Sequence, residues 1–196
     1  MITIVDYGAG NLRSILRAIE SHDVTAEISA DPDRIAAADR IVLPGVGNAK
    51  AAMEKLNSTG LASAVTEQVQ RGTPLLGVCL GMQLLFGDQE EGPTTGLGLL
   101  EGRAVRLPET LKIPHMGWNT VTFTDHSPLA GQSPAAFYFV HSYQVEPASA
   151  DMIAGETDYG HRFCSMVIHE NIWGTQFHPE KSQNAGLALI GAWINN

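Results

Sequence analysis

Residues Gly77-Val78-Cys79-Leu80-Gly81 place a thiol between two glycines, each two positions away. This is the spacing of a nucleophile elbow with cysteine in place of serine. An apolar run at residues 74–78 precedes it, and the apolar helical pattern Met82-Gln83-Leu84-Leu85-Phe86 follows. A strand that turns abruptly into a helix strains the residue at the bend, needs neighbours without side-chain bulk, and sets a helix N-terminus where it stabilises a thiolate. Cysteines are more often small buried hydrophobes. The glycine spacing favours a nucleophile at Cys79, whereas Cys164 has no such surroundings and reads as a packed thiol.

A thiol nucleophile needs a base, and of seven histidines His178, in His178-Pro179-Glu180, closes an apolar strand-like run. Proline bars the residue before it from the helical region, so His178 is expected to be extended. In an extended segment residues i and i+2 share a side, which lets Glu180 orient and polarise the imidazole. Alone, the tripeptide fits a strand-end histidine beside a solvated acid; the cysteine elbow turns the reading to a Cys79/His178/Glu180 triad.

Thioester chemistry also needs oxyanion donors. Leu43-Pro44-Gly45-Val46-Gly47 is a strand followed by a turn, and its glycines leave backbone N–H groups free to face a ligand. The Leu80 N–H is the second donor by elbow geometry. The alternative for residues 45–47 is a plain strand-to-helix turn. Gly8-Ala9-Gly10 begins like a dinucleotide fingerprint, but Arg13 occupies the third glycine position and no phosphate loop occurs, so no cofactor is indicated. Histidine and cysteine spacings match no metal motif. His22, His126, His161 and His169 read as surface or turn residues.

The elements that must position these groups follow from periodicity. Residues 2–5, 24–28, 40–43 and 75–78 read as strands. Leu12, Ile15, Leu16 and Ile19 form one apolar helix face, and residues 60–70 a helix ended by Gly72. Alternating helices and doubly apolar strands predict a parallel sheet covered by helices. After about Gly87 strand-like stretches dominate, at 103–107, 119–123, 137–143, 152–156, 164–169 and 173–177, separated by turn signals and expected to be mainly antiparallel. A last helix, with Leu187, Ile190 and Ile194 on one face, returns to the sheet.

A length of 196 residues predicts one domain over 1–196, and 44% hydrophobic with 17% charged residues is the composition of a soluble protein. The formal charge of -9 repels phosphate backbones, which argues against nucleic acid. No apolar run approaches the ~18 residues that span a bilayer. The opening Met-Ile-Thr-Ile-Val-Asp-Tyr-Gly reads as a first strand rather than a leader, so a cytoplasmic location is expected, without membrane contact.

Gly77-Val-Cys79-Leu-Gly-Met-Gln83 together with Gln176-Phe-His178-Pro-Glu180 resembles the class I (triad) glutamine amidotransferases, over nearly the whole chain. Within them residues 5–12, Pro44-Gly-Val-Gly47, Pro114-His-Met-Gly-Trp-Asn119 and Tyr138-Phe-Val-His-Ser-Tyr143 resemble the glutaminase subunits of imidazole glycerol phosphate synthases. The resemblance implies an α/β flavodoxin-like three-layer sandwich, whose mostly parallel central sheet carries an antiparallel C-terminal part. It also implies hydrolysis of L-glutamine, with ammonia passing, within a heterodimer, to a cyclase subunit of (β/α)8-barrel fold. That subunit makes imidazole glycerol phosphate and aminoimidazole carboxamide ribotide in histidine biosynthesis. Gln83, Glu91 and the backbone at Ser142 and Tyr143 are implied to hold the glutamine. Asn11, Met116, Trp118, Tyr138 and Lys181 are implied to lie at or near the cyclase-facing surface; from sequence alone Trp118 and Tyr138 also fit core packing. One departure from the family pattern is Asn48-Ala49-Lys50 behind the oxyanion turn.

Competing readings are an amidotransferase serving another acceptor, against which residues 114–119 argue, and a stand-alone cysteine hydrolase, separable by whether peptides are cleaved. A regulatory subunit without catalysis is opposed by the intact triad.

Overall fold

In the computed structural model, which describes residues 1–109 and 111–196, the first-half apolar runs become strands, buried from both sides in the middle of the sheet and half-buried at its edge strand. Strand β1 (Ile2–Val5) is followed by helix α1 (Leu12–Glu20), β2 (Ala26–Ser29), α2 (Pro32–Ala36), β3 (Arg40–Leu43), α3 (Ala49–Ser58), α4 (Leu61–Gln70), β4 (Leu75–Val78) and a single turn, α5 (Leu80–Gln83). Then come β5 (Phe86–Gln89), β6 (Thr94–Thr95), β7 (Leu100–Arg106), β8 (His115–Phe123), β9 (Ala135–His141), β10 (Tyr143–Pro147), β11 (Ile153–Asp158), β12 (Arg162–His169), β13 (Ile172–Thr175) and α6 (Gln183–Ile194).

Alternate residues of each central strand enter opposite cores. Ile41, Leu43 and Leu75 join Leu56, Leu61 and Val65 of α3 and α4, while Val42, Leu76 and Val78 join Ile15 and Ile19 of α1 and Leu189 and Trp193 of α6. This makes the three-layer α/β sandwich expected from sequence. Two helices escaped the periodicity reading yet carry start signals. Asp31 caps α2, with Pro32 at its first position, and Asn48 caps α3 by accepting from the Ala51 N–H. The Asn48-Ala49-Lys50 departure is thus a helix start, with Ala49 fully buried.

The sheet runs β2-β1-β3-β4-β13-β12-β10-β7-β5-β6. Its first five strands are parallel, an order of the flavodoxin type. The second half is mainly antiparallel, as expected, with two parallel pairings. β13 is parallel to β4, and β5 is parallel to β7. Buried parallel and antiparallel strands share the same apolar pattern, so pairing direction is decided by topology.

Two corrections concern phase and continuity. In α6 the deeply buried residues are Leu189, Ile190 and Trp193, with Leu187 and Ile194 only partly buried, because the helix is apolar nearly all round. The stretch 137–143 breaks at Ser142: β9 pairs with β8, and β10 pairs with β7 and β12. Each side of Ser142 continues the apolar pattern while the strand's partner changes.

One glycine of the elbow is required by backbone proximity. A Cβ on Gly81 would lie 1.8 Å from the Leu43 carbonyl oxygen at the end of β3. Gly81→Ala is expected to destabilise by about 1–3 kcal/mol or more, since the obstacle is backbone that no rotamer can relieve. Gly87→Ala, whose Cβ would meet nothing within 4 Å, is the control and should stay within about 0.5 kcal/mol. Urea unfolding of the two variants checks the contrast.

Candidate active site

Three loops at the carboxyl ends of β3, β4 and β13 converge, the edge where open α/β sheets bind ligands. Cys79 occupies the bend after β4 with φ 55 and ψ −110, a conformation costing a non-glycine residue about 1–3 kcal/mol. It is held there because the Cys79 N–H donates to the Thr175 carbonyl at 2.7 Å and the parallel register sets Val78 beside Thr175. The helix after it is shorter than the sequence pattern suggested, only the single turn α5, so no long helix dipole acts on the thiol.

From Thr175 the chain needs three more residues to deliver His178. It is extended there, with φ −99 and ψ 96, as the following proline requires. Glu180 arrives differently from expectation. Residues Pro179–Lys181 form a 3₁₀ turn, so turn closure rather than strand alternation brings the carboxylate back. His178 Nδ1 lies 2.8 Å from Glu180 Oε1, and both side chains are essentially buried. A carboxylate can only accept, so Nδ1 carries the hydrogen and Nε2 is the nitrogen free to take a proton. Nε2 is buried and has no hydrogen-bond partner among the described residues. Burial by itself would lower the His178 pKa; the Cys79 side chain and the Glu180 carboxylate outweigh it and raise the pKa to about 9.

A cavity of about 310 Å³ opens over the thiol, lined by Val46, Gly47, Cys79, Leu80, Gln83, Glu91, Pro114, Val140, His141, Ser142 and Tyr143. Eight residues singled out from sequence therefore line it, whereas His178 and Glu180 do not. Gly45 lies beneath it instead, where a Cβ would meet the Tyr7 hydroxyl at 2.5 Å and Leu80 Cβ at 2.8 Å. Among the described residues the N–H groups of Gly45, Val46, Gly47 and Leu80 donate to no protein acceptor. Val46 is 42% exposed, and Gly47 has φ +101. Glu91 accepts from the Ala49 N–H at 2.7 Å, which ties the start of α3 to the cavity.

Sequence reasoning missed several groups. Gln176 Nε2 approaches Cys79 Sγ at 3.7 Å while its Oε1 accepts from Gln83 Nε2 at 3.1 Å. Tyr7 donates to the Pro44 carbonyl at 2.8 Å, bracing the turn after β3; burial, with the nearby Cys79 adding, pushes its pKa up. His141 reaches the cavity, but His115 and the Tyr143 carbonyl engage both ring nitrogens and burial lowers its pKa to about 3. It cannot replace His178 as a base. Gln176 lies two residues before His178, a signal present in the sequence; His141 was legible only as the alternative base, and Tyr7 not at all as a brace. Cys164 is the packed thiol expected, its pKa raised by burial.

Of the residues implied to face a partner, Met116 and Trp118 are 62% and 52% exposed, which excludes core packing for Trp118. The β8–β9 register sets Met116 opposite Val140 and Trp118 opposite Tyr138, all on one face, and Lys181 Nζ lies 5.7 Å from the Tyr138 ring. That face begins at the cavity, since Val140 lines it. Asn11 sits at the N-cap of α1 with φ 73, makes no cap bond, and donates its amide to Glu180 Oε1.

The family model for glutamine amidotransferase class-I matches residues 3–190. The imidazole glycerol phosphate synthase subunit HisH of Syntrophotalea carbinolica is 44% identical over 200 residues, covering 97% of each chain. The subunit of the same name from Rhodopirellula baltica is 48% identical over 194 residues, covering 97% of this chain and 95% of that one. A solved structure described as a glutamine amidotransferase superposes with a TM-score of 0.80 over 100% of both chains at 16% identity, a likeness of fold alone. By the family match and these relatives, the chain belongs to the glutamine amidotransferase class-I family.

Proposed function

We propose that residues 1–196 act as one glutaminase domain, the ammonia-producing subunit of an imidazole glycerol phosphate synthase. The observation that carries this reading is the His178 imidazole, hydrogen-bonded to Glu180 at 2.8 Å and interacting on its other side with the side chain of Cys79, the thiol that lines the cavity. Cys79 Sγ, its proton already held on His178 Nε2, attacks the amide carbon of L-glutamine. The tetrahedral oxyanion is received by N–H groups of Leu80 and of the Gly45-Val46-Gly47 turn. Collapse breaks the C–N bond, His178 returns the proton to the leaving ammonia, and a γ-glutamyl thioester remains. Water, deprotonated by His178, then releases glutamate. Glu180 holds the imidazole and stabilises its protonated form. Gln83, Glu91 and the backbone of Ser142 and Tyr143 hold the glutamine.

Ammonia passes to a cyclase subunit of (β/α)8-barrel fold bound as a heterodimer over the face that carries Met116, Trp118, Tyr138 and Lys181, with Asn11 beside it. The exposure of Met116 and Trp118, next to a cavity-lining Val140, supports that seat. The reaction belongs to histidine biosynthesis in the cytoplasm. The Gly45-Val46-Gly47 turn is the gate, because rotation of a glycine-flanked peptide removes or restores one donor worth ~10²–10³ in turnover. The test is glutamine hydrolysis by the chain alone, with the cyclase subunit, and with that subunit liganded. A rise of about that size on assembly supports the reading; equal turnover in all three removes the gate, and no hydrolysis in any of them overturns the function.

A further inference from the structure

Two buried histidines outside the triad stand in a line that ends at the cavity. Asn119 Nδ2 lies 3.2 Å from His115 Nε2, His115 Nδ1 lies 2.9 Å from His141 Nε2, and His141 Nδ1 lies 2.8 Å from the Tyr143 carbonyl. Only one assignment of hydrogens serves neutral rings. The carbonyl can only accept, so His141 Nδ1 carries its hydrogen and Nε2 accepts. His115 Nδ1 must then donate, and its Nε2 accepts from the Asn119 amide. Both rings are almost fully buried, and burial lowers their pKa values to about 4 for His115 and about 3 for His141. His115 is further clamped between Tyr159 and Phe139, with ring centroids 4.0 and 4.7 Å away.

The Tyr143 carbonyl at the end of this line also accepts from Gln83 Nε2 at 3.1 Å. It follows Ser142, the corner where the chain leaves β8 as its partner, and belongs to the first residue of β10, opposite Arg106 of β7, so its angle is set where one ladder ends and the next begins. We propose that the Asn119–His115–His141 chain positions the Tyr143 carbonyl, and through it Gln83 and the Ser142 corner, making His141 a positioning residue for glutamine binding. The proposal rests on the glutaminase reading.

The test uses the assembled complex and steady-state glutamine hydrolysis. His141→Leu removes the donor, and its loss is expected to raise KM for glutamine by about 3–10-fold, the fold-change of one ordinary hydrogen bond. The kcat should stay within about twofold, and Cys79 should be alkylated by iodoacetamide at the wild-type rate. His141→Asn keeps a donor at the Nδ1 position and should recover most of the KM. His115→Phe keeps the aromatic stack but breaks the chain, and should raise KM in the same direction by less. An unchanged KM in His141→Leu overturns the proposal. So does a joint fall of kcat, glutamine binding and alkylation rate that His141→Asn does not recover, the mark of general structural damage. If His141→Leu does not fold, a wild-type KM in His115→Phe overturns it. A wild-type complex that hydrolyses no glutamine would instead sink the functional reading itself, and the proposal with it.

Discussion

Cys79→Ala is expected to abolish glutamine-dependent synthesis by the complex and to leave synthesis from added ammonium salt intact. The alanine inherits the backbone at φ 55 and ψ −110 and leaves the cavity walls in place, so glutamine still binds. What disappears is the only atom placed to form the thioester. Removing a triad nucleophile costs on the order of 10⁶-fold in kcat where such enzymes have been dissected. In the proposed division of labour, ammonia supplied from solution needs none of this, because its acceptor lies on the other subunit. Assays with each nitrogen source measure the division directly. A folded complex that loses both activities would contradict it.

His178→Ala should lower glutamine turnover by at least ~10²–10⁴, the range for a positioned acid-base group. The nearest alternative imidazole, His141, cannot compensate, with both nitrogens engaged and a pKa lowered to about 3. Near-normal turnover in the variant would show that the proton goes elsewhere. Because Cys79 and His178 act as one unit, the double variant should be little worse than Cys79→Ala alone. The pH dependence follows from the same pair. The His178 pKa is raised in the folded chain, so the imidazolium persists to a pH of about 9. The kcat/KM for glutamine should fall through an alkaline limb near there. The sign for stability agrees. A group with a raised folded pKa stabilises fully below its unfolded value, about 6.5, and loses that contribution as pH rises through its folded value. Wild-type resistance to urea should therefore drop more between neutral and alkaline pH than that of His178→Ala.

The sequence exposed unequal parts of this site, for identifiable reasons. The elbow was legible because its thiol and flanking glycines are adjacent in the chain, although the contact that demands Gly81, close passage of the Leu43 carbonyl, joins distant residues. His178 was legible because Pro179 restricts the residue before it. The role of Glu180 was foreseen through the wrong geometry, since a 3₁₀ turn rather than an extended pair returns its carboxylate. Helix α3 went unread although Asn48 marks its start, because its one buried face is built largely of alanines and gives little apolar contrast.

By itself, then, the amino-acid sequence determined the alternating strands and helices of the first half, the strained thiol, the extended histidine and the glycine-rich turn. Each is signalled by residue types a few positions apart. Only the tertiary structure decided that β13 would lie parallel to β4, the pairing that sets Thr175 beside Val78 and carries His178 to Cys79. It alone also broke the chain at Ser142, exposed Trp118, and turned Asn11 from a helix cap to the Glu180 carboxylate. Buried strands look alike whichever neighbour they choose, because their side chains satisfy the same apolar demand on both faces. The choice is made by the competition of all strands for partners, and that competition has no counterpart in any local stretch of sequence.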